Sequence, residues 1–224
     1  MTKPAIPPPD GPGGPARTGG RLGWLVGGVG GLAVAAAVAR GLRRSGATKP
    51  APADLVTLTR AMLGCAAAGV VVDSRCGEPP ARRLFPLAVI ALTLDAVDGW
   101  VARRTRTTPF GARFDGETDA LLILTLSVPA ARAYGPWVLV AGVARYAFGA
   151  AGWAWPWLRR PLPPRYWRKV ATATEGAALA AALTSVLPRW ATGAGLVAGS
   201  ALIAESFGRD VWWLWRRRTE SPAE

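Results

Sequence analysis

Hydrophobic and polar positions divide the chain into long apolar runs broken by short stretches of Pro, Gly and Arg. From Asp54 onward six such runs follow one another: approximately Leu55 to Val72, Leu84 to Val101, Phe114 to Ala133, Trp137 to Trp157, Val170 to Leu187 and Thr192 to Leu214. Several approach the ~20 residues that a helix needs to cross about 30 Å of hydrocarbon. A seventh run, Leu22 to Val38, is apolar but rich in Gly, with Arg21 before it and Arg40, Arg43 and Arg44 after it. It reads as a marginal span or an interfacial helix; a signal peptide fits less well, because a basic segment follows and no clear cleavage site is visible. Met1 to Gly20 contains 11 Pro or Gly residues in 20 and no periodicity, the pattern of a disordered tail.

The pattern predicts an all-α polytopic membrane bundle with six core transmembrane helices and an extra N-terminal helix. It divides the chain into a tail (1–21), a hydrophobic segment with a basic linker (22–53), a membrane domain (54–215) and a polar C-terminal tail (216–224).

Composition supports this reading. Half of the 224 residues are hydrophobic, yet Lys and Arg number 27 against 14 Asp and Glu. If the run beginning at Asp54 enters from the cytoplasm, the cytoplasmic loops and ends hold 17 of the basic residues and the opposite loops hold 5. That asymmetry follows the positive-inside rule, so the net charge of +13 is a topology signal and gives no reason to expect nucleic acid as a partner. Trp153, Trp155, Trp157 and Trp167 bracket one cytoplasmic loop, and Trp212, Trp213 and Trp215 precede the last basic cluster, as an aromatic belt at the headgroups requires. The expected location is the cell membrane, multi-pass.

There is no histidine, which excludes Ser-His-Asp, Cys-His and His-ligated zinc chemistry. Cys65 and Cys76 fall in an apolar run and a loop and read as unrelated thiols. Carboxylates are therefore the residues to follow. Five of the 14 lie between Asp95 and Asp119, where one apolar run ends and the next begins. A charge at bilayer depth costs about 2.5 to 3.5 kcal/mol, so such a group calls for a compensating cation. Asp95, Asp98, Gly99 and Ala102 share one helical face, and Gly111, Asp115 and Asp119 share another. Two antiparallel helices would bring the four Asp carboxylates together, an all-oxygen set suited to Mg²⁺ or Mn²⁺, and the small residues leave room beside them. Glu117 points away from Asp115 and Asp119 by the same spacing.

Asp95-Ala-Val-Asp98-Gly99-Trp-Val-Ala102-Arg103, seven further residues, then Gly111-Ala-Arg-Phe-Asp115-Gly-Glu-Thr-Asp119 resembles the signature of the CDP-alcohol phosphatidyltransferases, membrane enzymes of phospholipid synthesis. The seven-residue spacer is one shorter than is common in that family. Asp54-Leu-Val-Thr57-Leu-Thr-Arg60 resembles the opening of the family's first span, where Asn usually stands in place of Asp54. Arg145 and Lys169-Val-Ala-Thr172-Ala-Thr-Glu175 resemble its later Arg and Lys-x-x-Thr-x-x-Gln elements, with Glu175 replacing Gln.

The resemblance implies a divalent metal, Mg²⁺ or Mn²⁺, on Asp95, Asp98, Asp115 and Asp119. It implies a CDP-linked lipid lying along Gly99, Ala102, Arg103 and Gly111, with Asp119 as general base toward a hydroxyl acceptor and CMP as the leaving product. Arg60, Arg145 and Lys169 form a cationic set suited to an anionic acceptor such as glycerol 3-phosphate or an inositol phosphate. For Arg60 and Arg145 the other reading is ion pairing with Glu175, Glu205 or the Asp cluster, and for Lys169 it is snorkelling to the interface. A homodimer is a family expectation. Competing accounts of the acidic cluster are interfacial ion pairs with Arg103, Arg104, Arg106 and Arg113, a cation transporter, and a catalytically silent member that keeps the fold.

Overall fold

The computed structural model describes residues 16–44, 52–74, 81–102, 109–160, 162, 166–184 and 186–218; the side chains of 16–20, 42, 44, 52–53, 98–102, 109–110 and 112–113 lie outside the description. The described residues are helical throughout, without a strand. They form α1 (Ala16–Arg44), α2 (Pro52–Asp73), α3 (Ala81–Ala102), α4 (Pro109–Tyr134), α5 (Leu139–Ala154), α6 (Tyr166–Ala182) and α7 (Arg189–Arg216), in the order read from the apolar runs.

The boundaries differ where local chemistry intervenes. α1 takes in residues 16–21, assigned above to the tail, because extending an existing helix by a turn costs far less than nucleating one. The run from Trp137 to Trp157 is a 16-residue helix between two 3₁₀ turns, Pro136–Val138 and Pro156–Arg159, each opened by a proline that cannot continue an α-helix. α6 begins at Tyr166, four residues before the apolar stretch, and stops at Ala182, five residues before Leu187. Gly135, at φ 103°, makes the turn after α4, a conformation that suits glycine alone.

Small residues fill the interior. Ala61, Ala67, Ala88, Ala91 and Ala171 are buried together with Leu84, Leu126, Leu179 and Leu196. Larger apolar groups face outward, among them Trp24 and Leu25 on α1, Phe85, Val89 and Ile90 on α3, Val140 and Val143 on α5, and Val197 on α7. A small-residue interior beneath an apolar exterior is the arrangement of helices packed within lipid, where close backbone approach replaces hydrophobic exclusion as the driving force. By length and composition, Arg21–Gly41 and Asp54–Asp73 are apolar enough to cross a bilayer, with mean hydropathy 1.9 and 1.8. α5 and α6 are shorter, at 16 and 17 residues, and α3, α4 and α7 carry charges near their ends.

α1 runs antiparallel to α2 in close contact. The Gly23 amide donates to Asp73 Oδ1 at 2.9 Å, and a Cβ on Gly69 would lie 2.6 Å from the Gly23 carbonyl oxygen. Further along, a Cβ on Gly30 would approach Cys65 Sγ to 3.2 Å and one on Gly31 would approach Met62 Sδ to 3.1 Å. Cys65 is a buried free thiol that packs here; Cys76 lies outside the described residues. α4 occupies the centre, packed against α2, α5 and α6, and α6 pairs with α7. This arrangement sets the acidic turns of α3 and α4 opposite the buried face of α2.

Candidate active site

α2 contributes a polar face within an apolar helix. Asp54, Thr57 and Arg60 recur at helical spacing and are all buried, Arg60 to 2% exposure. A guanidinium so far from water needs anionic partners, and the opposite helices supply them. Arg60 Nη1 donates to Asp115 Oδ1 at 2.6 Å, while Nη2 lies 3.0 Å from Asp95 Oδ1 and also donates to Asp119 Oδ1. Asp115 and Asp119 are one turn apart on α4, so both carboxylates reach the same side, and Asp95 comes across from α3.

One oxygen from each of Asp95, Asp115 and Asp119 lies within 4.8 Å of the others. Among the described side chains, three carboxylates face one directly paired guanidinium, an excess of negative charge that a divalent cation would complement. The donors are oxygen only, which fits Mg²⁺ or Mn²⁺ and not a thiolate- or imidazole-preferring metal. The fourth expected ligand, Asp98, is one turn from Asp95 on α3, but its side chain lies outside the described residues, as do the surroundings of Gly99 and Ala102. Arg103 lies outside the described residues altogether, and Gly111 sits in the first turn of α4, partly buried.

The three cations expected to face an acceptor separate. Arg60 is among the carboxylates. Lys169, in the first turn of α6, holds its Nζ 4.0 Å from Asp115 Oδ2 and is largely exposed, so it borders the cluster and can turn toward a ligand. Arg145 on α5 donates instead to Glu117 Oε1 at 2.8 Å. It reaches Glu117 by crossing Gly116, where a Cβ would come within 3.1 Å of Arg145 Nη2. Helical spacing correctly turned Glu117 away from the cluster but gave no sign of Arg145 as its partner; the adjacent glycine was the available signal.

Two further polar contacts escaped the sequence reading. Glu175 is fully buried on α6, with Ser200 Oγ of α7 at 3.3 Å from Oε1 and 3.5 Å from Oε2, and it leaves so little space that a side chain on Gly199 would strike it. Arg168 binds the buried Asp210 of α7 through two bonds, Nε to Oδ2 at 2.8 Å and Nη2 to Oδ1 at 2.9 Å. This bidentate pair fixes the start of α6, next to Lys169, against the end of α7. An acid near the end of an apolar helix was its trace in the sequence.

A family model for CDP-alcohol phosphatidyltransferase matches residues 51–204. The chain belongs to the CDP-alcohol phosphatidyltransferase family. Comparison with curated proteins and with solved structures returns no match. The CDP-alcohol phosphatidyltransferases are membrane-integral enzymes that transfer a phosphatidyl group from a CDP-alcohol to an acceptor, typically with a divalent metal, and the matched stretch contains Arg60 and all the acids of the cluster. α1 lies outside it.

Proposed function

We propose that this protein moves a phosphatidyl group from a CDP-linked lipid such as CDP-diacylglycerol to the hydroxyl of a phosphorylated polyol, for example glycerol 3-phosphate or an inositol phosphate, releasing CMP in phospholipid biosynthesis. The observation that carries the reading is the convergence of Asp95, Asp115 and Asp119 from two helices on one point beside Arg60.

In this reading Asp95, Asp98, Asp115 and Asp119 hold Mg²⁺ or Mn²⁺. A divalent ion bound there would neutralise the diphosphate and stabilise the departing CMP. Asp119 takes the proton of the acceptor hydroxyl, whose oxygen forms a bond to the lipid-side phosphorus as the bond from that phosphorus to the CMP oxygen breaks. Positioning against the hydroxyl is what makes a carboxylate effective as the base. Gly99, Ala102, Arg103 and Gly111 line the cytidine position, where small residues permit close approach of a flat ring.

Lys169 and Arg145 are the cations that meet the acceptor phosphate, Arg145 by exchanging Glu117 for it. Arg60 belongs to the same cationic set, and its place among the carboxylates supports the second reading of that residue, a counter-charge that orders the acids. The six helices α2 to α7 cross the cell membrane with the acidic site at the cytoplasmic face, a topology supported by the 17 to 5 distribution of basic residues.

The test offers purified protein labelled CDP-diacylglycerol with Mg²⁺ and a panel of acceptor alcohols, followed by identification of the lipid product. A phosphorylated polyol should be the acceptor incorporated. Incorporation of an uncharged or zwitterionic alcohol in its place would remove the assigned role of Lys169 and Arg145.

A further inference from the structure

Away from the acidic cluster, an apolar groove of about 430 Å³ runs between α5 and α7, within the size range of ligand clefts, about 300–1,000 Å³. Ala147, Phe148 and Ala151 form one wall, Phe207 and Val211 the other, and Leu158 of the Pro156–Arg159 turn also lines it. Phe148 and Phe207 meet across it with ring centroids 5.6 Å apart. Trp155 and Trp157 add indole surface to the lining.

Immediately beyond Val211, α7 ends in Trp212, Trp213, Leu214, Trp215 and three arginines. Each arginine lies over an indole: Arg216 over Trp212 at 3.8 Å, Arg217 over Trp213 at 4.1 Å and Arg218 over Trp215 at 4.8 Å. All three arginines are exposed, and so are Trp212 and Trp215. Stacking holds long cationic side chains in place and lowers the ordering cost of meeting an anion. Within α7, Asp210 pairs with Arg168, and Glu205 with Arg209 and the Trp167 indole. Arg160 donates to the backbone carbonyls of Arg217 and Arg218, which ties the turn that bears Leu158 to this basic collar.

We propose that the groove and collar together bind an anionic phospholipid of the surrounding bilayer, with an acyl chain in the groove and the headgroup phosphate at Arg216, Arg217 and Arg218. Charge complementarity selects the occupant, since a zwitterionic lipid would fill the groove equally well but has no net charge to offer three arginines. This site is separate from the transferase chemistry and depends only on the membrane setting of the family.

Fluorescence quenching tests it on the full chain in mixed micelles, using phosphatidylglycerol or phosphatidylcholine with brominated chains of the same length. Brominated phosphatidylglycerol should quench a saturable part of the tryptophan emission at a lower mole fraction than brominated phosphatidylcholine. That part should shrink in the Trp155→Phe/Trp157→Phe variant and vanish when Ala147→Leu/Ala151→Leu fills the groove. Arg216→Gln/Arg217→Gln/Arg218→Gln, at an exposed helix end where folding is not at stake, should reduce the preference for the anionic lipid about tenfold to a hundredfold. Equal quenching by the two lipids, or a preference unchanged in the triple variant, overturns the proposal. No turnover is needed, so failure here leaves the transferase reading standing, and failure of the transferase reading leaves this one intact.

Discussion

Replacing Arg60 with Gln tests whether the guanidinium is the internal counter-charge of a metal site. Arg60 is 2% exposed and engages Asp95, Asp115 and Asp119, whose side chains are 35%, 21% and 22% exposed. Carboxylate oxygens within 4.8 Å of one another repel by roughly 3.5 kcal/mol per pair at an effective dielectric of 20. Removing one partner of a buried ion pair costs about 3–5 kcal/mol, and the partial exposure of the acids puts this case near the lower end. For a chain of this size a loss of about 3 kcal/mol corresponds to a Tm lower by roughly 6–12 °C in metal-free buffer.

One more uncompensated negative charge then remains in the cluster, so Mn²⁺ should protect the variant more than the parent and recover part of the lost Tm. The assay is thermal unfolding of both proteins in detergent, with chelator and with Mn²⁺. An Arg60→Gln protein that melts with the parent in chelator, or that gains no more from Mn²⁺ than the parent does, would show that Arg60 is not that counter-charge. Arg60→Lys, which keeps the charge without the fork that reaches three acids, should fall between them.

Other contacts yield further predictions. Arg145→Gln should raise KM for a phosphorylated acceptor about tenfold to a hundredfold with kcat little changed, since a charge-assisted hydrogen bond contributes about 1.5–3 kcal/mol; a change in kcat alone would argue against acceptor contact. Gly199→Ala should lower Tm by overpacking, at a cost of about 1–3 kcal/mol, because its Cβ would meet the Glu175 carboxylate and lie 2.8 Å from the Glu175 Cα. Arg168→Ala, which removes the bidentate partner of the buried Asp210, should be destabilising as well, and Arg168→Ala/Asp210→Ala should recover part of the loss in a double-mutant cycle. Gly69→Val, directed at the Gly23 carbonyl, should loosen α1 from α2, visible as faster proteolysis near α1, while CMP release is retained.

The helix order was readable because each apolar run ends where Pro, Gly or Arg accumulates. The Asp95, Asp115 and Asp119 cluster was readable because Asp115 and Asp119 share a helical face and the motif joins that face to the one bearing Asp95. Contacts between helices distant in sequence were readable only in part. Arg60 among the acids 35 to 59 residues away was one of two readings open from the sequence, but Arg145 takes Glu117 in place of any of the acids considered for it, because the register of one helix against another is set by packing that no single helix encodes. Gly116 illustrates the difficulty: its importance lies in the arginine that crosses it, and that arginine comes from α5. The ends of α5 and α6 were misjudged for a simpler reason. Apolar content continues through Pro156 and past Ala182, whereas hydrogen-bonded helix does not.

The acidic cluster, loaded with a divalent metal, should release CMP from a CDP-linked lipid. Its most direct test is CMP release from CDP-diacylglycerol by purified protein, with Mg²⁺ or with chelator, beside Asp119→Asn. Release should require both the metal and a hydroxyl acceptor and should fall at least about a hundredfold in Asp119→Asn, the scale of a general base. Release that persists in chelator or in Asp119→Asn, or no release with any acceptor offered, would contradict it.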